Sequence, residues 1–166
     1  MAAALALLNP VHAETTAPND AQIAMIAVVA NGVDVDAGKM AAQKANSKEV
    51  KEFADTMVRD HTAVNAKATA LAKKLGVTPE ESATSKGLKA DGDKMLAKLK
   101  AMSGAEFDKA YVDNEVAYHE AVIGVVTNTL IPNTKNAELK SLLESAGPIF
   151  TSHLEHAKHL QHSQSK

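Results

Sequence analysis

Four long stretches of this chain carry apolar residues at steps of three and four positions, the spacing that lines one face of an α-helix. A helix of that kind buries its apolar stripe by packing against other elements. The pattern therefore predicts an all-α fold, a four-helix bundle in one domain that covers residues 20–162. The chain has 166 residues, which is enough to bury a core without disulfide bonds. The predicted helices cover residues 20–45, 47–75, 104–131 and 137–162.

Short capping signals mark the ends of these helices. Ser47 follows a brief turn and should begin the second helix, and Gly76 suits the left-handed residue that ends it. So short a turn predicts that the first two helices form an antiparallel hairpin. Ser103 and Glu106 match a capping box, in which each side chain accepts from the other residue's backbone N–H, and should open the third helix.

The connection between the second and third helices is about 27 residues long, more than neighbouring antiparallel helices need. Residues 77–87 are typical of a loop, and residues 88–102 predict a short helix that Gly92 interrupts. Such a crossover can travel the length of the bundle, so that the second and third helices run parallel, as in ferritin-like folds. Residues 53–64 and 111–122 repeat aromatic, Asp, Val, His, Ala and Val at equal offsets, which supports this arrangement.

Composition excludes several classes of function. Eighteen Lys and Arg residues against twenty Asp and Glu give a net charge of -2, which argues against a nucleic-acid partner. The absence of cysteine excludes disulfide scaffolds, thiolate zinc sites, iron–sulfur clusters and a cysteine nucleophile. Aromatic residues make up only 3% of the chain, so stacking platforms for bases or sugars have little to be built from.

The first 13 residues predict an export signal. They begin as an apolar run and end in Val11-His12-Ala13, which suits cleavage after Ala13. No positive charge precedes the run, so we expect a truncated signal. Residues 14–19 would then be a linker that ends in a helix cap at Asn19 or Asp20. We therefore expect a periplasmic or secreted protein with no transmembrane segment in the mature chain.

A few polar residues interrupt the apolar stripes, and each of the four helices contributes at least one. Counting residues from the predicted turns places Asp34 and His119 at about the height of His61. His153 lies about 7.5 Å beyond the level of His119 if the fourth helix is straight, and a kink at Gly147-Pro148 should move it. The interrupting residues are Asp34, His61, Glu115, His119 and His153.

Three imidazoles and one or two carboxylates that meet inside a dry bundle suit one divalent transition metal ion, with Zn, Cu and Fe as the candidates. The alternative is a metal-free polar layer, in which the same side chains pair with one another and fix the helix register. His61 and His119 rings more than roughly 10 Å apart would exclude a shared site. The predicted ligands are His61, His119 and a carboxylate from Asp34 or Glu115, with His153 as a further candidate.

The fourth helix carries a row of histidines at steps of three residues. Such a row rotates by about 60° at each step, because successive residues of an α-helix are about 100° apart. We therefore expect His159 and His162, at the end of the row, to lie in solvent. The members of the row are His153, His156, His159 and His162.

The histidine-bearing segments share a pattern with a known family. They are residues 31–41, 50–65 and 107–111, then Val116 with His119, and Pro148 with His153 and Leu154. Together these segments resemble the bacterial family of unknown function numbered 4142 (DUF4142), over residues 20 to about 160. The resemblance implies an exported, ferritin-like four-helix bundle with no assigned activity. This chain departs from the family pattern at Asp34, where a Glu is expected, and at Tyr118, where an acidic residue is expected.

True ferritins and di-iron oxidases use a pair of Glu-x-x-His motifs. Here Glu115 and His119 are four residues apart and no second copy exists, which disfavours a ferroxidase. We expect a protein that binds metal or protects against stress rather than one with defined turnover. The alternatives are an interaction or envelope-structural module with a pH-sensitive histidine layer, and a mononuclear redox enzyme that handles oxygen species. The sequence identifies no protein partner and is compatible with a homo-oligomer.

Overall fold

The computed structural model describes residues 17–164, which are helical apart from short turns. The predicted export signal, residues 1–13, lies outside this range. The helices are α1 (Asp20–Lys44), α2 (Lys48–Leu75), α3 (Ala83–Lys100), α4 (Gly104–Val125), α5 (Ile131–Asn133) and α6 (Ala137–Ser163). A π-helical segment, Val126–Leu130, joins α4 to the one-turn helix α5. The long helices α1, α2, α4 and α6 form the bundle, so the predicted all-α four-helix bundle is confirmed.

Hydrogen bonds at the two ends of the bundle fix the direction of each helix. Asp20, at the start of α1, accepts the backbone N–H groups of residues 135–136, just before α6, at 2.9 Å each. At the opposite end Asp108 of α4 accepts the backbone N–H groups of residues 46–47, just before α2, at 2.9 and 2.7 Å. α2 and α4 therefore start at one end, the Asp108 end, while α1 and α6 start at the other, the Asp20 end.

The crossover helix α3 differs from its prediction in two ways. It begins at Ala83 rather than at residue 88, because the Ser82 hydroxyl accepts from the Ser85 N–H at 3.2 Å and the Ser85 hydroxyl accepts from the Ser82 N–H at 2.9 Å. Gly92 does not interrupt it. A Cβ at Gly92 would stand 2.7 Å from Cγ2 of Val33, so the glycine allows α3 to lie close against α1.

The start of α4 also corrects a prediction. Ser103 precedes the helix without a side-chain cap, so the predicted capping box with Glu106 is wrong. The following residue, Gly104, has a φ of 59°, in the left-handed region that favours glycine. A capping box needs a right-handed residue at this first helical position, and the left-handed backbone therefore prevents it.

The end of α4 widens into the π-helical segment instead of continuing as an α-helix to residue 131. Pro132 follows closely, and a proline both lacks the N–H of the helical ladder and crowds the carbonyl four residues before it. A π segment is one way in which a helix accommodates such a disturbance. Two side chains add bonds to carbonyls of this segment: Asn133 donates to Thr129, and Thr134 donates to Leu130, both at 2.7 Å.

The apolar core divides into clusters toward the two ends of the bundle. Gly38 lets α1 approach α2, since a Cβ there would stand 3.0 Å from Cγ2 of Val58 and 3.1 Å from the Ala54 carbonyl oxygen. A layer of buried polar side chains, here called the polar layer, separates the two clusters; it consists of Asn31, Asp34, His61, Glu115, His119 and His153. The cluster at the Asp108 end includes Phe53, Met57, Phe107 and Tyr111, and that at the Asp20 end includes Ile23, Ile26, Leu130, Leu139 and Leu143.

Helix α1 is long and apolar enough to cross a membrane, as judged by length and composition alone. Its most apolar stretch of 18 residues has a mean hydropathy of 1.2, which the sequence prediction overlooked. Half of that stretch is buried inside the bundle, and core helices of soluble proteins pass the same test. Buried Asn31 and Asp34 lie within α1, so its inward face is partly polar.

Candidate metal centre

A layer of buried polar side chains crosses the bundle between the two apolar clusters. All four long helices contribute to it, and none of its residues is more than 4% exposed. The five predicted site residues lie in this polar layer together with Asn31, which the sequence analysis missed. Its members are Asn31 and Asp34 on α1, His61 on α2, Glu115 and His119 on α4, and His153 on α6.

Three histidine rings meet in the polar layer. The ring centroids of His61 and His119 are 5.5 Å apart, well within the limit for a shared site. His153 stands 5.1 Å from His61 and 5.6 Å from His119, measured in the same way. One ring nitrogen of each histidine lies within 4.8 Å of the others, a spacing that three ligands of one ion can have.

His153 is closer to the other two rings than counting along a straight helix predicts. Side chains on a helix lean toward its N-terminus. Because α4 and α6 run in opposite directions, the His119 side chain leans toward the Asp108 end and the His153 side chain toward the Asp20 end. These opposite directions bring the ends of the two rings together. Helix α6 continues through Pro148 as one helix.

Each ring is held at one nitrogen by a hydrogen-bond acceptor. His61 Nδ1 lies 2.8 Å from Asn31 Oδ1, whose own amide nitrogen donates to the Ala27 carbonyl at 2.8 Å. His119 Nδ1 lies 3.0 Å from the carbonyl oxygen of Glu115. A carbonyl oxygen can only accept, so both Nδ1 atoms carry the hydrogen.

His153 is held from the other side of its ring. Its Nε2 lies 3.0 Å from Oδ2 of Asp60, and the second oxygen of Asp60 accepts from Arg59 at 2.7 Å. The hydrogen bond from Arg59 lowers the pKa of the Asp60 carboxyl, and the bond from His153 lowers it to a smaller extent. An ionised carboxylate is an acceptor, so His153 donates from Nε2 and its hydrogen is fixed there.

The opposite nitrogens of the three rings are buried and have no hydrogen-bond partner among the described residues. They are Nε2 of His61, Nε2 of His119 and Nδ1 of His153. In each ring the anchored nitrogen carries the hydrogen, so the unpartnered one carries a lone pair. One nitrogen anchored by an acceptor and the other free is the arrangement that metal-binding histidines use.

The protein environment keeps these rings neutral. The pKa of His61 is lowered to about 3, mainly by burial and to a smaller extent by nearby His119 and His153. Burial also lowers the pKa of His119 to about 4, and it lowers the pKa of His153. The unprotonated imidazole is the form that coordinates metal ions, so the rings are ready to bind at neutral pH.

The two carboxyl groups of the polar layer lie on the anchored sides of the rings. Oδ2 of Asp34 is 3.5 Å from Nδ1 of His61, and Oε2 of Glu115 is 3.4 Å from Nδ1 of His119. Asp34, Glu115 and His119 also form a second group with ligand atoms within 4.8 Å of one another. The carboxyl groups therefore flank His61 and His119 on the anchored sides of these two rings.

Burial raises the pKa of both carboxyl groups. For Glu115 it reaches about 8, because the group is removed from water. For Asp34 burial acts first and the neighbouring charge of Glu115 adds to it. Two carboxyl groups this close and this buried cannot both ionise at low cost, so at least one proton remains between them near neutral pH.

The chain matches the family described as Domain of unknown function (DUF4142) over residues 7–160. It belongs to this family. The resemblance that the histidine-bearing segments carry is therefore confirmed. No curated protein matches the chain.

A solved structure titled "CopM in the Cu(II)-bound form" is similar to this DUF4142 protein. The two chains are 17% identical, with a TM-score of 0.70, and the match covers 89% of this chain and 98% of that one. At such an identity the likeness shows a shared fold.

One departure from the DUF4142 pattern has a structural role here. Tyr118, which stands where an acidic residue is expected, donates its hydroxyl to the Ala30 carbonyl at 3.0 Å. It thereby ties α4 to α1 beside the polar layer. An acidic side chain could not donate this bond when ionised.

Sequence analysis missed two residues that orient the rings. Asn31 lies one turn before Asp34 on the same face of α1, a signal that could have included it in the polar stripe. Asp60 precedes His61 directly and is half-buried between α2 and α6, so no helical periodicity points to it. The histidine row behaves as predicted at its end, because His159 and His162 are exposed. His156 is also exposed, and its ring packs edge-on against Phe53 with centroids 5.0 Å apart.

Proposed function

We propose that this protein binds one divalent transition metal ion between His61, His119 and His153. The observation that carries the proposal is the set of three buried, unpartnered ring nitrogens on rings whose other nitrogens are anchored. Leaving a buried polar atom unsatisfied costs about 1–3 kcal/mol, and coordination would remove that cost at all three nitrogens. Neutral imidazoles are ligands that Zn, Cu and Fe accept.

Copper is the first ion to test, because a solved structure that shares this fold is titled as a Cu(II)-bound form. Asp34 and Glu115 stand beside the anchored nitrogens, which supports a role in orienting and tuning the imidazoles rather than in direct ligation. His153 therefore replaces a carboxylate as the third ligand of the proposed site.

We infer further that the protein is exported and holds metal in protection against stress. The apolar start of the chain and its Val11-His12-Ala13 sequence support export. A site buried in the core supports retention of an ion rather than rapid exchange. Secretion of the full chain with cleavage after Ala13, read by N-terminal sequencing, would test the location.

The metal site is tested by titrating chelator-treated protein with Cu(II) and Zn(II) in a calorimeter and counting bound metal by elemental analysis. We expect one ion per chain. His153→Gln should weaken binding by more than about a hundredfold or abolish it, because losing a ligand costs more than losing a residue that orients one. The matched control is His159→Gln on the same helix, whose side chain is exposed and should leave binding unchanged.

Less than one ion per chain for the wild type, or equal losses in the two variants, would contradict the proposal. Folding of each variant is checked by circular dichroism, since replacing a buried residue can also disturb the bundle.

A metal-free polar layer is the second candidate function. The hydrogen bonds of His61 to Asn31 and of His153 to Asp60 favour it, because they join α2 to α1 and α6 without any ion. His61→Leu should then leave the free energy of unfolding in chelator unchanged or raise it, because leucine removes an unpartnered buried nitrogen, and added metal would stabilise neither protein. If added metal stabilises the wild type but not His61→Leu, this candidate is excluded.

A further inference from the structure

A cavity of about 260 Å³ lies inside the bundle beside the polar layer, and most of its wall is apolar. It meets the polar layer at Asn31, Asp34 and His61, whereas His119 and His153 do not line it. The cavity therefore adjoins the anchored side of His61 and is a site distinct from the proposed metal centre.

The volume and shape of the cavity limit what it can hold. An engineered cavity of about 150 Å³ accepts benzene, so by proportion this one accommodates about ten non-hydrogen atoms. On α6 the lining runs from Leu139 to Phe150, a length of about 16 Å at 1.5 Å per residue. A volume of this size along such a length is narrow, and it suits a linear chain better than fused rings.

The two ends of the cavity differ in polarity. Toward the Asp20 end the lining side chains are apolar, with Ile26, Leu130 and Leu139 among them. At the other end the lining includes the polar side chains of Asp34 and Tyr118. A molecule that matches this gradient has an apolar tail and a single polar head, with the head toward the polar layer.

The polar end offers acceptors to such a head. The Tyr118 hydroxyl uses its hydrogen for the Ala30 carbonyl, and His61 Nδ1 directs its hydrogen at Asn31 Oδ1. The carboxyl group of Asp34 lies at the same end and has a carbonyl-type oxygen whether or not it is ionised. A head group that donates a hydrogen bond therefore finds an acceptor there.

A charged head fits this cavity less well than an uncharged one. Among the described residues that line it there is no Lys or Arg, so a carboxylate head would leave water without gaining a cation. The one carboxylate at the exposed rim, Asp91, already pairs with Lys94 at 3.0 Å. A hydroxyl donates a hydrogen bond and avoids the cost of moving a charge into an apolar space.

The cavity reaches the surface between α3 and α4, where the lining residues Asp91 and Ala121 are exposed. This opening is at the height of the polar layer, because Gly92 of α3 lies against Val33, the residue before Asp34. A linear ligand can therefore enter tail first and leave its head beside the polar layer.

We propose that this cavity binds a linear medium-chain alcohol, with its tail toward the Asp20 end and its hydroxyl group donating to the carboxyl group of Asp34. Burial of the chain against the apolar wall supplies most of the affinity, and the hydroxyl fixes the direction of the chain. The site needs no metal ion, so the inference goes beyond the proposed function and does not depend on it.

The test compares n-octanol with octanoate, which have the same chain length and different heads. Each is titrated by calorimetry into chelator-treated and into zinc-loaded protein. We expect octanol to bind both forms with the same affinity. Octanoate should bind about tenfold more weakly than octanol or not at all, because its charge is not compensated in the cavity.

A variant that fills the cavity tests the position of the tail. Ala68 is buried and lines the cavity, so Ala68→Leu should weaken octanol binding by about tenfold, the effect of about two methylene groups that lose their burial. Ala66→Leu is the matched control on the same helix, since Ala66 is exposed and is not a lining residue. It should leave octanol binding unchanged.

A second variant tests the position of the head. Asp34→Asn removes the carboxyl group and adds an amide donor, so it should bind octanoate more tightly than the wild type does. The matched control is Asp93→Asn, because Asp93 is exposed on α3 and does not line this cavity. Circular dichroism checks the folding of each variant.

The failures are distinguishable. Zinc binding without octanol binding would overturn the cavity inference and leave the metal site standing, whereas octanol binding without zinc binding would do the reverse. Equal losses in Ala68→Leu and Ala66→Leu would place the alcohol outside the cavity. Octanoate binding that does not respond to Asp34→Asn would overturn the position of the head, and tighter binding of octylamine than of octanol would overturn the choice of an uncharged one.

Discussion

At the scale of single residues, the two nitrogens of each imidazole ring in the polar layer have different roles. One nitrogen is bonded to Asn31, to the Glu115 backbone or to Asp60, and this fixes both the orientation of the ring and the position of its hydrogen. The other nitrogen keeps its lone pair in a dry interior, where it gains most from a cation. Replacing an anchor should therefore change binding at the proposed metal site without touching a ligand.

Asn31→Ala should weaken metal binding by about tenfold to a hundredfold, because His61 loses the acceptor that orients it. The measurement is a calorimetric metal titration. Asn65→Ala is the matched control: Asn65 also joins α2 to α1, through a bond of 3.2 Å to the Val28 carbonyl, and this bond does not involve a histidine. A similar loss of affinity in both variants would show that helix packing, rather than ring orientation, is responsible.

Stability in chelator should depend on pH through Glu115. Its pKa is raised from 4.5 to about 8 in the fold, so its contribution to stability is full below pH 4.5 and is lost as the pH rises through about 8. The histidines act in the opposite direction: the lowered pKa of His61 means that its contribution is lost as the pH falls from 6.5 toward about 3. Between pH 6.5 and 8 the carboxyl effect therefore dominates.

Urea unfolding at several pH values in that window measures this dependence. The wild-type free energy of unfolding should fall across the window by about 1.4 kcal/mol per pH unit for each of the two carboxyl groups that stays protonated in the fold, and Glu115→Gln should remove the share of Glu115 while Asp34 keeps its own. Glu144→Gln, an exposed change on α6, should retain it. An unchanged slope in Glu115→Gln would show that this carboxyl is not the group responsible.

At the scale of the helices, glycine positions decide how closely neighbours approach. Gly92 of α3 lies against Val33 of α1, with no room for a Cβ, whereas Gly87 on the same helix has nothing within 4 Å of the place where a Cβ would be. The same residue type thus serves packing at one position and leaves open space at the other.

Gly92→Ala should lower the free energy of unfolding by about 1–3 kcal/mol, because the added methyl group forces α3 away from α1. Gly87→Ala should be neutral or stabilising by up to about 1 kcal/mol, since alanine favours a helix over glycine. Urea unfolding of the two variants beside the wild type gives the comparison. Equal effects at the two positions would contradict the close packing of α3 on α1.

At the scale of the whole molecule, the polar layer is where all four long helices meet. An ion between His61, His119 and His153 would join α2, α4 and α6, and Asn31 extends the connection to α1. Because the unfolded chain has no such site, metal binding should stabilise the fold by mass action.

Zinc at about 100 times its dissociation constant should therefore raise the free energy of unfolding by about 2.7 kcal/mol. Thermal melting with and without zinc measures the effect, and excess chelator should reverse it. His153→Gln should show a much smaller shift, whereas His159→Gln should behave as the wild type does. If zinc raises the melting temperature of both variants equally, the stabilising site lies elsewhere in the protein.

Local pattern in the sequence was sufficient for the helices and for most of the polar layer. Asp34, His61, Glu115, His119 and His153 interrupt apolar stripes, and a helical stripe faces the core wherever the helix packs. The prediction at Gly92 is wrong because this glycine packs against Val33, a residue far away in the sequence. The prediction at Ser103 is wrong for a local reason, because the next residue, Gly104, has a left-handed backbone.

Helical periodicity, a property of neighbouring residues, was enough to predict the all-α bundle and the polar residues that face inward, and the resemblance of the histidine-bearing segments indicated the family. The packing of the helices is what shows which nitrogen of each ring is anchored, that Asn31 and Asp60 hold the rings, and that an apolar cavity adjoins them. These features depend on the rotation and height of one helix against another and on the direction in which each side chain leans. Such relations are set by packing between helices, and no single stretch of sequence contains them.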